Sequence, residues 1–337
     1  MTLGGRIRGA LHGWTDEVVA GLVGRPRLFV DGFGDRDELA RIIARVQGYT
    51  RREPPPLTVR WAGPWRRATI GVERTASFVS PAASYLPAAM APARALWWAP
   101  ADAPPGPVCL LLAATGEEGF GLRRQLARDL VARGITAVML ENPYYGARRP
   151  KGQWLALLRT VTDQFTMNAA TVDEAHALVG HLRATGHPRI AATGYSQGGM
   201  MAAFTAALTP FPIAVVPRAA GASATAIFTE DLLARRFAWD RLREGFADEA
   251  AARRFFAECL GPIDARRFAS PIAPQAAIII ASRHDRFVRG DDVLALHRHW
   301  PGSELRWLAS GHLTGAVLDR AAHTGAIVDG LARVPTP

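Results

Sequence analysis

Glycines stand two residues either side of Ser196, in the stretch IAATGYSQGGMMAAF that runs from 190 to 204. A serine hydroxyl becomes a nucleophile only when a base takes its proton and an acid orients that base. The spacing Gly194, Ser196, Gly198 suits such a serine, because a sharp strand-to-helix turn lifts its oxygen above a sheet and side chains at the flanking positions would collide. The pattern alone says little. With nine serines and 32 glycines in 337 residues, it arises by chance on the order of once in ten chains. The local alternative is a strand–loop–helix junction whose serine merely caps the helix.

In the architecture that uses this turn, the acid and then the histidine follow the nucleophile, each just past a later strand. Asp285 stands immediately beyond QAAIIIAS, in RHDRFV, and His312 immediately beyond ELRWLAS, in GHLTG. Of the nine histidines, His312 is the one that directly follows a late strand with a glycine before it. His284 adjoins Asp285 along the chain and so points elsewhere, His297 and His299 fall on a helical pattern, and His323 lies within the last helix. Ser196, Asp285 and His312 therefore read as a catalytic triad. An oxyanion hole should use the N–H of Gln197 and a second N–H from the loop AATGEEGF, where Thr115 and Gly116 are both candidates. In that loop Glu117 and Glu118 either face the pocket or cap the following helix. The stretch LENPYYGARRPKGQ, 140 to 153, follows another strand and brings Asn142, Tyr144, Tyr145, Arg148 and Arg149 to the same sheet edge. They are candidates for a substrate pocket or for holding an anionic group, since arginine pairs bidentately with carboxylate or phosphate. The competing reading packs them against a cap and helix ends.

From residue 107 onward, unbroken apolar runs of strand length (VCLLLAA, ITAVMLE, RIAATG, IAVVP, QAAIIIAS, ELRWLAS) alternate with helical patterns. These include GLRRQLARDLVARG, a long stretch from about 153 to 184, and GGMMAAFTAAL. Strands apolar on both faces and alternating with helices predict an α/β fold, a mostly parallel, doubly wound sheet with helices on both faces. Short β-type runs, LTVRWAG, RATIGVERTASFVSP and PARALWWAP, lead it as antiparallel strands. Residues 1–50 are expected to form an N-terminal helical extension, broken at Gly24-Arg25-Pro26, with a second helix around Asp37 to Val46 that the prolines of TRREPPPL end. Residues 51–337 then form the α/β domain. The segment 222–268, mostly helical from about 228 to 260, is too long for a simple crossover and is expected to be a cap insertion over the strand ends.

Composition narrows the function classes. The net charge of +10 rests on 39 arginines and a single lysine, Lys151, spread along the chain. So one-sided a choice reads as compositional bias, and the chain is not expected to bind nucleic acid. Cys109 and Cys259 give neither a disulfide framework nor a metal-site spacing. Asp16 and Glu17 fall where a signal peptide needs its apolar stretch, and no run approaches the roughly 18 apolar residues of a membrane span. The expectation is a soluble cytoplasmic protein with no metal or cofactor; no oligomeric state follows. RIRGALHGWTDEVVAGL has apolar and basic residues at helical spacing, which suits either peripheral membrane contact or packing on the core.

Taken together and in order, FVSPAASYLP, LAATGEEGF, LENPYYGARRP, TGYSQGGMMA, RHDRFV and ELRWLASGHL resemble the α/β-hydrolase domain-containing 18 family, from about Gly24 to the last helix. ENPYYG is the most specific of these motifs. The resemblance implies the α/β-hydrolase fold, with Ser196 matching the nucleophile, Asp285 the acid and His312 the base. Gln197 replaces an expected methionine, the first loop lacks a histidine found in some members, and the chain is more compact than animal members. The expected activity is hydrolysis of a small-molecule carboxylic ester, a lipid acyl ester included, through an acyl-enzyme. Amide or peptide cleavage and acyl transfer would use the same triad, and an inert binding scaffold is the alternative from another class.

Overall fold

The computed structural model describes residues 15–17, 27–101 and 105–335. Four short strands lead the sheet: β1 (Arg60–Trp61), β2 (Arg66–Arg67), β3 (Val72–Val79) and β4 (Pro92–Ala99). The apolar runs then give β5 (Val108–Leu112), β6 (Thr136–Leu140), β7 (Ile190–Tyr195), β8 (Ala214–Arg218), β9 (Ile278–Ser282) and β10 (Glu304–Leu308). The sheet order is β1-β3-β4-β6-β5-β7-β8-β9-β10, with β2 paired to β3. Pairings from β1 to β6 through β3 and β4 are antiparallel, and those from β6 through β10 are parallel. The sheet is thus the mixed, mostly parallel one that the alternating runs predict.

Helices cover both faces because successive strand side chains point to opposite sides. Leu110, Val138 and Val215 join the core beneath α1 (Arg36–Gln47), α3 (Val161–Ala184), α4 (Gln197–Leu208) and α8 (Gly290–His299). Their neighbours Leu111, Met139 and Val216 meet α2 (Arg124–Val131) and α10 (Arg320–Arg333) on the other face. Each fully buried Leu, Val or Met of this kind contributes about 1.5–3 kcal/mol of transfer free energy.

The long helix starts later than its apolar pattern implies. Thr160 caps it: Asp163 N–H donates to Thr160 Oγ1 at 3.0 Å and Thr160 N–H donates to Asp163 Oδ2 at 3.2 Å. This reciprocal pair fixes the first turn at Val161. The segment between β8 and β9 carries α5 (Thr225–Thr229), α6 (Trp239–Leu242) and α7 (Glu249–Leu260), divided by turns. At the N-terminus, residues 15–17 are helical and α1 matches the second expected helix. The remainder of the expected first helix lies outside the described residues. Among the described residues no helix is long and apolar enough to cross a membrane.

α3 is buried almost all round, between the sheet, α1 and α4. Its two adjacent carboxylates are therefore partnered. Asp173 accepts from Arg45, Arg52 and Tyr85 Oη, tying α1 and the segment after it to the core. Glu174 receives the guanidinium of Arg148.

Candidate active site

Strand register brings the motif-bearing loops to one edge. Leu112 pairs with Gly194, Tyr195 with Arg218, and Leu308 with Ser282, so β5, β7, β8, β9 and β10 all end there. Crevices at the carboxyl ends of parallel strands are where α/β sheets place their chemistry.

Ser196 is the single residue between β7 and α4, at φ 53° and ψ −117°. A non-glycine residue held there costs on the order of 1–3 kcal/mol, which the surrounding turn must absorb. The glycines explain how. A Cβ on Gly194 would lie 2.2 Å from the backbone carbon of Gly198, and one on Gly198 would lie 2.6 Å from the carbonyl oxygen of Leu112. A Cβ on Gly199 would lie 2.8 Å from that of Ala220. Ser196 N–H donates to Arg218 O at 2.8 Å, and Ser196 O accepts from the N–H groups of Gly199 and Met200. The Ser196 side chain makes no cap hydrogen bond to α4, so the simple capping role does not apply.

His312 opens α9 (His312–Leu318) and Asp285 sits in the turn after β9. The imidazole Nδ1 and Asp285 Oδ2 are 2.7 Å apart, with both side chains buried. A carboxylate accepts, so Nδ1 bears the proton and Nε2 is left as the basic nitrogen. Asp285 is itself oriented by the N–H groups of Phe287 and Val288, each donating to Oδ1 at 2.8 Å. The ring packs against Phe287 and Tyr195, at centroid distances of 5.0 and 5.3 Å. Tyr195 Oη donates to His312 O, so the residue before the serine holds the histidine backbone. Burial pushes the Tyr195 phenol above its ordinary value, with the charge of Asp285 adding to the effect, and this keeps it a donor. Among the described residues no hydrogen bond joins Ser196 Oγ to His312. Such bonds are commonly long before substrate arrives and tighten in the complex.

The loop after β5 is pinned by its own glutamate. Ala114 N–H donates to Glu117 Oε2, while Glu117 Oε1 accepts from Arg123 Nε at 2.7 Å, both side chains buried. Gly116 N–H donates to Tyr145 Oη at 3.2 Å, so that amide already has an acceptor. Thr115 Oγ1 donates to Gln197 Oε1 at 2.9 Å, and Gln197 Nε2 donates to Asn168 Oδ1 at 3.0 Å. Gln197 thereby ties the loop to α3, a role its replacement of methionine did not reveal. Its N–H belongs to the first turn of α4 and has no partner within the helix.

A cavity is bordered by Ser196, Gln197 and Thr115. The rest of its wall is overwhelmingly apolar. Val46 and Tyr49 come from the end of α1 and just beyond it, Phe165 and Val172 from α3, Met200 and Phe204 from α4, and Ile227, Phe228, Leu233, Leu260 and Ile263 from the 222–268 segment.

The residues of ENPYYGARRP are not on this wall. Arg148 is buried, with Nη1 and Nη2 on the two carboxylate oxygens of Glu174 at 2.8 and 2.6 Å. Arg149 pairs with Glu118, and Glu118 also accepts from Gly146 N–H. Tyr144 O accepts from Gln153 Nε2, Tyr145 Oη accepts from Gly116, and Asn142 is buried. Asp16 and Glu17 approach the site too. Both stood in the sequence only as charges incompatible with a signal peptide, and no local pattern links them to residues some 300 positions away.

The sheet order and the serine turn at its carboxyl edge define an α/β hydrolase fold. The chain belongs to the alpha/beta hydrolase domain containing 18 family, whose model matches residues 26–259 and 247–333. Among solved structures it is similar to the acetyl xylan esterase from Paenibacillus sp. R4, at 14% identity and TM-score 0.59 over 84% of this chain and 92% of that one. Acetyl xylan esterase 1 from Thermoanaerobacterium sp. JW/SL YS485 matches at 13% identity and TM-score 0.56, over 90% and 96%. An S-formylglutathione hydrolase from Agrobacterium tumefaciens matches at 14% identity and TM-score 0.52, over 83% and 100%. At these identities the likeness speaks to the fold.

Proposed function

We propose that the protein is a serine hydrolase of carboxylic esters whose acyl group is apolar. The observation that supports it best is Ser196 held at positive φ on the wall of an apolar cavity, at the sheet edge where Asp285 orients His312. In this reading Ser196 Oγ attacks the ester carbonyl while His312 Nε2 takes its proton. The oxyanion that forms is held by the N–H groups of Gln197 and Thr115, since that of Gly116 is engaged by Tyr145. His312 returns the proton to the departing alcohol, leaving an acyl-enzyme; water, deprotonated by His312, then releases the acid. Asp285 keeps the imidazole in the required tautomer and stabilises the imidazolium. The 222–268 segment acts as a cap whose apolar side chains wall the acyl chain.

The test is hydrolysis of p-nitrophenyl esters graded from acetate to long acyl chains by the wild type, Ser196→Ala and His312→Ala. Turnover should favour acyl chains longer than acetate, and both variants should fall by about 10³-fold or more. Wild-type turnover in either variant contradicts the assignment.

A further inference from the structure

The Asp16 carboxylate is fully buried, yet no cation pairs with it among the described residues. Three backbone N–H groups satisfy it instead. Oδ2 accepts from His312 at 2.8 Å and from Arg286 at 3.3 Å, and Oδ1 accepts from Leu313 at 2.9 Å. Two of those amides open α9, the helix that begins with His312 itself. The third belongs to the residue after Asp285. A single side chain therefore joins the two turns that bear the imidazole and its carboxylate, and it grips them by main chain.

We infer that Asp16 is a positioning residue: it sets the backbone at His312 and next to Asp285, so that the imidazole is presented to Ser196 in a reactive pose. This rests on the reading of His312 as the base. Hydrogen bonds from N–H groups to an ionised carboxylate are roughly twice as strong as neutral ones, and buried charge is tolerated only when it is so satisfied. Tyr195 Oη also holds His312 at its carbonyl, and Asp285 holds it at its ring. Neither holds the amide side. The neighbouring pair of Glu17 with Arg286, at 2.8 Å, is exposed on both partners and worth little. Asp16 also precedes the stretch that matches the family model, so the contribution comes from a part of this chain outside that match.

The experiment compares Asp16→Ala, Asp16→Asn and Glu17→Gln in the full chain, measuring kcat and KM on one p-nitrophenyl ester, thermal unfolding, and the low-field proton resonance of the His312–Asp285 hydrogen bond. A small displacement of a catalytic group costs up to about 100-fold in rate. Asp16→Ala should lose at least about tenfold in kcat with KM within about twofold, because Asp16 is not on the cavity wall. The low-field resonance should shift or broaden. Asp16→Asn, which keeps one acceptor oxygen, should lie between Asp16→Ala and the wild type, and Glu17→Gln should match the wild type. If Asp16→Ala does not fold, a smaller kcat loss of the same kind, with KM within about twofold, in folded Asp16→Asn supports the inference. Wild-type kcat and resonance in folded Asp16→Ala, or in Asp16→Asn where alanine fails to fold, overturn it. A loss in KM alone overturns it as well. Ser196→Ala run alongside separates the two failures: if it abolishes turnover while the Asp16 variants do not, the triad reading stands and the positioning role falls.

Discussion

Replacing Arg148 by methionine should destabilise the protein while leaving its active site intact. The guanidinium makes five hydrogen bonds: two to the Glu174 carboxylate, two to Met90 O, and one to Glu141 O. Glu174 has no exposed surface, and the Arg148 side chain is 2% exposed. Water cannot take over when the arginine goes, so Arg148→Met leaves a buried carboxylate without its cation and two carbonyls short of a donor. Breaking a buried pair from one side costs about 3–5 kcal/mol. With unfolding entropy near 2.1 cal/mol/K per residue, a chain of 337 residues should then lose roughly 4–7 °C in Tm. Removing both charges is a different perturbation, and Arg148→Met with Glu174→Leu should recover much of the loss. Thermal unfolding of the two single variants and the double gives the coupling directly. KM for the ester should stay near the wild-type value throughout. An Arg148→Met protein with unchanged Tm and a raised KM for acidic substrates would instead place Arg148 in substrate binding.

The serine turn and the buried histidines give further expectations. Gly198→Ala places a Cβ 2.6 Å from Leu112 O and 2.8 Å from Ala113 O, backbone atoms of β5 and its loop; the turn must shift, with about 1–3 kcal/mol lost from stability and about 100-fold or more from turnover. Urea unfolding with an ester assay checks both, and wild-type turnover speaks against a rigid turn. Burial, helped by Arg52, pushes His176 from an ordinary 6.5 to about 4. Burial with Arg218 nearby pushes His323 to about 3. Because the unfolded chain binds the protons that these folded positions refuse, stability is full above about pH 6.5. It should fall as pH drops toward 4, by at most about 1.4 kcal/mol per pH unit for each histidine. Urea midpoints at pH 7.5 and 5.0 measure the slope, and a midpoint that rises on acidification contradicts it.

The legible parts of the chain were those whose cause is local. Unbroken apolar runs such as VCLLL and IIIAS announced strands covered on both faces, and the glycines around Ser196 announced a turn that side chains would block. That Ser196, Asp285 and His312 each stand just past a strand end was readable from the apolar runs that precede them. Arg148 shows the limit. An arginine at the end of a strand looks the same whether it meets a ligand or a buried glutamate, and Glu174 lies on a helix whose periodicity is blurred by burial on every side. The cavity was likewise hidden, because its wall draws on α1, α3, α4 and the 222–268 segment at once. Asp16 depended on the longest-range contact of the site and left no signature in its neighbours. Between Thr115 and Gly116 only the hydroxyl of Tyr145, 29 residues away from Gly116, distinguishes the two amides.

An activated Ser196 reacts with a fluorophosphonate probe, which reads nucleophilicity without any assumption about substrate. The wild-type protein and Ser196→Ala would be labelled side by side and the modified peptide located by mass spectrometry. One adduct is expected, on Ser196, formed at a rate that His312→Ala sharply reduces, and none in Ser196→Ala. Folded wild-type protein that takes up no label at Ser196, or labels equally well without His312, would contradict an activated Ser196.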